Sequence, residues 1–182
     1  IMPSLVGSEM CIRDRLQSQL NPHFLYNTLD CMKWLGVTGG VPQVAELAAD
    51  LAALLRAGIS GSEYITLEEE LELIGRYLAI QEVRFGDRFV CELDVDERFQ
   101  HCVVPKLILQ PLVENAIYHG IKDKRGGGLI TVTGREDGGF LCFRVEDTGR
   151  GMTPDQLRDV RARMRGELPP AYAPYALSLI HI

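Results

Sequence analysis

The sequence predicts an α+β fold, and three observations predict it. Through the first half of the chain, apolar residues recur at helical spacing, with glycine and proline between the runs. After "FGDR", residues 85–88, the period falls to two. A further helical run then precedes two strand-like segments joined by "EDGG". Helices, a strand, a helix and a hairpin, in that order, form an α+β pattern on an antiparallel or mixed sheet.

The elements follow in order. From Leu16 to Leu35 the period is helical, and Leu16, Leu20, His23, Asn27, Cys31 and Trp34 share one face. "GVTGGVP" breaks that helix, and Pro42 stands where the next one starts. Val44, Leu47, Ala48, Leu51, Leu54 and Leu55 give a second amphipathic helix, so the pair reads as an antiparallel helical hairpin. "GISGSEY" ends it and places a boundary between two parts near Gly58 to Glu63. Thr66 with Glu69 is a capping-box signature, and Leu67, Leu71, Ile74 and Leu78 follow on one helical face. Phe89, Cys91, Leu93 and Val95 alternate as in a half-buried strand. "PKLILQPLVENAIYHGI" returns to a helix, in which Pro111 either makes a kink or marks the true start. "LITVTGR" and "FLCFRVED" are the paired strands.

Composition excludes several function classes. A chain of 182 residues makes one ordinary domain or two small ones, and 46% hydrophobic residues can supply a core. The net charge of -6, with no polybasic run, argues against nucleic acid as the main partner. No apolar run reaches the roughly 20 residues of a spanning helix. The opening "IMPSLVGSEM" lacks the basic and apolar regions of a signal peptide. Five cysteines without CxxC spacing suggest reduced thiols in a cytosolic compartment. There are no repeats and no low-complexity segment.

Three stretches carry candidate chemistry, and each is weak alone. In "NPHFLYN", His23 and Asn27 lie four apart on one helix face. A lone histidine on an apolar stripe is more often a hydrogen-bonded core residue. In "LVENAIYHG", Asn115 and His119 are helix neighbours with Glu114 beside them. An asparagine oxygen is a hard ligand suited to Mg²⁺, and a histidine can meet a phosphate. In "DTGRG", after a strand, Gly149 and Gly151 let the backbone approach a ligand, and Asp147 can accept from an exocyclic amine.

Together the three are specific. "NPHFLYN", then "VPKLILQPLVENAIYHG", then "VEDTGRGM" resembles the sensor histidine kinases of the LytS/YesM-like branch, over residues 16–168. "LEEELELIGRYLAIQEVRFGDRF" is similar to the family's linking helix. The resemblance implies a helical dimerisation and phosphotransfer region at 16–62 and a Bergerat-type (GHKL) ATP-binding domain at 63–174. It implies ATP and Mg²⁺ as cofactors, a homodimer, and transfer of a phosphoryl group to an aspartate of a response-regulator receiver domain. His23 matches the phosphoacceptor, with Asn27 and Glu114 as further catalytic candidates. Asn115 matches the Mg²⁺-binding asparagine of the N box, flanked by Glu114 and His119. Asp147 matches the aspartate that reads the adenine amine, and Gly149 and Gly151 match its glycines. The resemblance also implies the cytoplasmic portion of a plasma-membrane protein, attached to membrane only through upstream segments.

The chain departs from the family pattern at three places, and with its branch it differs from other histidine kinases at a fourth. Tyr118 stands where many relatives carry a basic residue, so a hydroxyl replaces a cation at a phosphate position. Phe24 follows His23 where many other histidine kinases have an acid, which leaves open the group that orients or deprotonates His23: Asn27, one turn on, either fixes the imidazole tautomer or only caps a polar break in the stripe. The glycine-rich G2 box is expected to be missing after "TPDQLRDVRARMRGELPPAYAP", leaving the ATP-binding domain incomplete. Residues 1–15 and 175–182 read as a non-native lead and tail. Two other readings remain at this point. One is a GHKL ATPase of another class, which lacks "NPHFLYN" on a preceding hairpin. The other is a non-catalytic dimerisation module, which the missing G2 box favours for this stretch of chain though not for the parent protein.

Overall fold

The computed structural model describes residues 22–59, 61–86, 88–122, 124 and 126–166. The proposed lead and tail, residues 1–15 and 175–182, lie outside them, as do Leu16, Leu20 and the end of the lid segment. The chain divides between Ser60 and Gly61 into two compact units.

The first unit is a pair of helices, α1 (Pro22–Thr38) and α2 (Pro42–Ile59). Each begins on a proline, whose fixed φ suits a first turn and whose missing N–H is not needed there. The helix α1 runs through Gly36, Val37 and Thr38, so the break is shorter than "GVTGGVP" suggests. Gly36 is a packing residue, because a Cβ there would sit 2.7 Å from the backbone nitrogen of Ala45 on α2. The turn itself needs Gly40, whose φ is +69°. The amide of Val41 donates to the Gly36 carbonyl at 2.9 Å and closes it. Leu29, Gly36, Ala45 and Ala48 are the buried positions. These residues are mostly small, so much of the apolar surface stays outside: Phe24, Trp34 and Leu35 are each about two-thirds exposed, at 67%, 68% and 69%.

In the second unit, β1 (Tyr64–Thr66) leads into α3 (Leu67–Phe85). The capping box forms in both directions: Glu69 N–H donates to Thr66 Oγ1 at 3.3 Å, and Thr66 N–H donates to Glu69 Oε2 at 2.8 Å. Next come β2 (Phe89–Val95), a 3-10 turn at Glu97–Phe99, and β3 (Val103–Pro105), which pairs antiparallel with β1. Then follows α4 (Gln110–Asn115), continued by a π-helical turn at Ala116–Ile121. The unit ends with β4 (Gly128–Asp137), β5 (Phe140–Asp147) and α5 (Pro154–Met164). Pro111 marks the start of α4, where its missing N–H costs nothing. The sheet is mixed: β2 pairs parallel with β4, and β4 antiparallel with β5. Gly138 and Gly139, at φ +59° and +85°, make the two-residue turn between β4 and β5.

The architecture is therefore α+β, as the periodicity predicts. Leu67, Ile74, Leu109, Val113, Ile117, Ile121, Ile130 and Val132 are fully buried, which seats α3 and α4 on the sheet. Burial fades along β2: Phe89 is buried, whereas Leu93, four residues on, is 41% exposed. The four described cysteines are free thiols. Burial first, then the carboxylates of Glu82 and Glu92, pushes the Cys91 thiol up to about 11. No described helix is long and apolar enough to cross a membrane.

Candidate functional site

The first candidate group sits on the hairpin. His23 and Asn27 are both exposed near the start of α1, one turn apart. Asn27 Nδ2 lies 3.3 Å from His23 Nδ1. The contact has two chemical forms. With Nδ2–H donating, Nδ1 is unprotonated and the ring proton sits on Nε2. With the amide turned by half a rotation, Oδ1 accepts Nδ1–H and Nε2 carries the lone pair. Only the second form makes Nε2 a nucleophile.

The second candidate group is built where α4 and β5 meet. Asn115 closes the α-helical turn of α4, is half-buried, and makes no capping hydrogen bond with its side chain. The π turn follows at once, with Lys122 N–H donating to the Ile117 carbonyl, five residues back, at 2.8 Å. Such a turn widens the helix by a residue and re-aims what comes after it. It ends against Asp147, the last residue of β5. A Cβ on Gly120 would lie 2.4 Å from Asp147 Oδ1. Gly149 N–H donates to the same Oδ1 at 2.8 Å, and Arg150 N–H donates to the Gly120 carbonyl at 3.0 Å. Asp147 is therefore held through one carboxylate oxygen, leaving Oδ2 to accept from a ligand.

The two glycines of "DTGRG" have different physical reasons. A Cβ on Gly149 would come within 2.3 Å of Gly120 Cα, so close backbone approach excludes any side chain. Gly151 has open space around it but a φ of +65°, which favours glycine. Gly120 itself lay unread in "NAIYHG", although a glycine inside a helical run signals close backbone approach.

The start of α4 is held from a distance. Leu109, its N-cap residue, has no side-chain cap of its own. Instead the fully buried carboxylate of Glu70 on α3 accepts from Leu107 N–H at 2.7 Å and Leu109 N–H at 2.9 Å. Leu107 has φ +61°, a left-handed conformation that costs a non-glycine residue about 1–2 kcal/mol. Glu70 lies in "LEEEL" beside two other acids, Glu68 and Glu69, and nothing in its residue type marks it as buried. Its spacing of three from Leu67 and four from Ile74 places it on the buried face. Glu70→Ala strips the acceptor from two N–H groups, an expected loss of about 2–6 kcal/mol at about 1–3 per group. Glu70→Gln, which keeps one acceptor oxygen, is expected to lose about half of that. Urea unfolding of the two variants measures both, and equal midpoints for wild type and Glu70→Ala contradict this account.

Glu114 and Tyr118, one turn apart, turn towards α3. Arg84 Nη1 donates to Tyr118 Oη, and the Phe85 and Tyr118 rings meet edge to face at 5.8 Å. Beside them Tyr77 Oη and Gln81 Oε1 are buried with no hydrogen-bond partner among the described residues. Burial first, then the negative charge of Glu114, raises the Tyr77 hydroxyl above its usual range. The structure thus brings Asp147, Gly149 and the Asn115 helix together, and sets Glu114 and Tyr118 on the α3 side. His119 is half-buried, four residues after Asn115. No described cluster of His, Cys, Asp or Glu could cage a metal unaided.

A helix ending against an aspartate at a strand terminus suits an ATPase of the GHKL class. A family described as "Histidine kinase-, DNA gyrase B-, and HSP90-like ATPase" matches residues 104–170, and one described as "Histidine kinase" matches 13–89. The chain thus carries a histidine kinase region followed by an ATPase region of the histidine kinase, gyrase B and HSP90-like class, and it is similar to sensor histidine kinases of the LytS/YesM-like branch. It is 39% identical over 84% of its length to sensor histidine kinase YesM of Bacillus subtilis. It is 38% identical over 81% to sensor histidine kinase YpdA of Escherichia coli. It is 35% identical over 78% to sensor protein LytS of Staphylococcus haemolyticus. The chain spans about a quarter of the length of these relatives, 27%, 26% and 24%. A histidine kinase domain from the blue-light activated kinase EL346 of Erythrobacter litoralis is 19% identical, with a TM-score of 0.40, over 74% of this chain and 66% of that one.

Proposed function

We propose that this chain is the phosphotransfer and nucleotide-binding part of an ATP-dependent protein histidine kinase that phosphorylates itself on His23. The placement of Asp147 against Gly120, at the end of the Asn115 helix, is the observation that carries the nucleotide half. Asp147 Oδ2 accepts the adenine amine, and a guanine carbonyl at that position would face a carboxylate. Asn115 Oδ1, free of a cap bond, faces the phosphates and serves as the protein ligand for Mg²⁺, which supplies charge neutralisation when bound.

At the hairpin, Asn27 Oδ1 holds Nδ1–H of His23, and Nε2 attacks the γ-phosphorus. The nitrogen–phosphorus bond forms as the bond to the β-phosphate oxygen breaks, ADP leaves, and the imidazole proton passes to solvent. Asn27 orients the ring but cannot take that proton. The phosphoramidate is labile and passes its phosphoryl group to a receiver-domain aspartate on a response regulator. Labelling a full-length kinase containing this chain with γ-labelled ATP tests the reading. Acid-labile, alkali-stable label on His23 supports it, and acid-stable label sinks it.

The exposed apolar faces of the hairpin point to a four-helix bundle made by two chains. Phe24, Trp34, Leu35 and Val37 cannot be covered by one partner helix. Sedimentation equilibrium of the 182-residue chain is expected to give a dimer, and Trp34→Glu with Leu35→Glu a monomer with unchanged far-UV circular dichroism. A clean wild-type monomer at high concentration contradicts this.

A further inference from the structure

We propose that Arg84 on α3, acting with the Tyr118 hydroxyl and Lys122, forms the phosphate-binding edge of the nucleotide site. The proposal rests on the nucleotide reading above and adds a residue from outside all three motifs.

Arg84 is held by rings rather than by an acid. Its guanidinium carbon lies 5.4 Å from the Tyr118 ring centroid and 5.1 Å from that of Phe85. Lys122 Nζ lies 5.8 Å from the same Tyr118 ring. Two cations therefore converge on one phenol, three residues past Asn115. The arginines at 76, 98, 135, 144 and 158, by contrast, each meet a carboxylate. Among the described residues no carboxylate lies within ion-pair distance of Arg84 or Lys122. In a chain of net charge -6 such a pair of cations is poised for an anion.

Hydrogen-bond direction adds specificity. Arg84 donates to Tyr118 Oη, so the phenol proton is left to donate elsewhere. Donation into the oxygen polarises the O–H and strengthens it as a donor to a charged acceptor. A guanidinium with further N–H groups beside a polarised O–H presents paired donors, the arrangement that suits a phosphoryl oxygen. The π turn contributes by placing Tyr118 and Lys122 four apart on one widened stretch of helix. The adenine end of the site, at Asp147 and Gly120, shares no residue with this cluster. The triphosphate charge is thus met by a cation delivered from α3, which is why an uncharged tyrosine is tolerated on the helix.

The experiment is an NMR titration of an isotope-labelled full-length kinase containing this chain with Mg²⁺-ATP, adenosine and tripolyphosphate in separate arms. Arg84→Gln is expected to weaken Mg²⁺-ATP and tripolyphosphate about tenfold while adenosine stays within about twofold. Tyr118→Phe is expected to weaken Mg²⁺-ATP several-fold. In Arg84→Gln/Tyr118→Lys, a cation on the helix itself is expected to restore most of the Mg²⁺-ATP affinity. Adenosine and Mg²⁺-ATP weakening together would show Arg84 to be only a clamp between helices and would overturn the proposal. An unchanged Mg²⁺-ATP affinity in Arg84→Gln overturns it as well. Absence of any adenosine-induced shift at Asp147 and Gly120 in the wild type overturns the nucleotide reading and this inference with it. Adenosine binding with phosphate arms indifferent to Arg84 overturns the inference alone.

Discussion

Replacing His23 with glutamine in a full-length kinase containing this chain is expected to abolish phosphorylation and leave nucleotide affinity within about twofold. The two effects separate because the two candidate groups belong to separate compact units. Glutamine approximates the size of imidazole and still bonds to Asn27, so the hairpin keeps its packing at this exposed position. What disappears is the ring nitrogen whose lone pair forms the bond to phosphorus, and no amide nitrogen replaces it. The expected loss is therefore complete, beyond about 10³-fold in rate, rather than graded. Asn27→Ala is expected to give a graded result, because it releases the ring tautomer and orientation without removing the nucleophile, with a loss of about 10- to 100-fold. Acid-labile label persisting on the His23→Gln protein would falsify the assignment, and a complete loss in Asn27→Ala equal to that of His23→Gln would show that Asn27 does more than orient.

Legibility in the sequence followed the range of each interaction. Periodicity and caps are local, so the helix starts at Pro42 and Thr66 and the glycine turn at 138–139 could be read directly, whereas the first helix reads from Leu16 and is described only from Pro22. Which strand pairs with which is not local. The parallel pairing of β2 with β4 joins Phe89 to Gly128, and nothing at either end of that separation announces it. The short pair β1 and β3 escaped because three residues are too few to show a period. The π turn carries no periodicity or cap that separates it in sequence from the α-helix it continues. Among the site residues, the motif members could be found because their types are unusual in place: a Pro-His pair in an apolar stripe, an aspartate followed by spaced glycines. The supporting residues could not. Glu70 and Arg84 are ordinary charged residues of a helix, and only the fold turns one onto the backbone of Leu107 and Leu109 and the other onto Tyr118. The contrast is instructive for Gly36 and Gly120. Both sit inside helical runs, and in both the absent Cβ makes room for a neighbouring chain segment.

Gly120 carries the second large prediction. Gly120→Ala is expected to weaken both adenosine and Mg²⁺-ATP by about 10- to 100-fold, the equivalent of one charge-assisted hydrogen bond at about 1.5–3 kcal/mol. The added methyl carbon would sit 2.4 Å from Asp147 Oδ1 and 2.7 Å from its Cγ, far inside contact distance. Relief has to come from the aspartate, because Gly120 is fixed by its own carbonyl, which accepts from Arg150 N–H at 3.0 Å. Moving the carboxylate breaks its bond from Gly149 N–H at 2.8 Å and turns Oδ2 away from the adenine amine. The pattern differs from that expected of Arg84→Gln, which spares adenosine, so the two variants mark opposite ends of one ligand. A second substitution separates clash from general damage. In Gly120→Ala/Asp147→Ala the obstructing carboxylate is gone, so the melting temperature is expected to recover towards that of Asp147→Ala, while adenine binding stays lost because its acceptor is absent. Wild-type adenosine affinity in Gly120→Ala, or a melting temperature that the second substitution leaves depressed, contradicts the placement of Asp147 against this glycine.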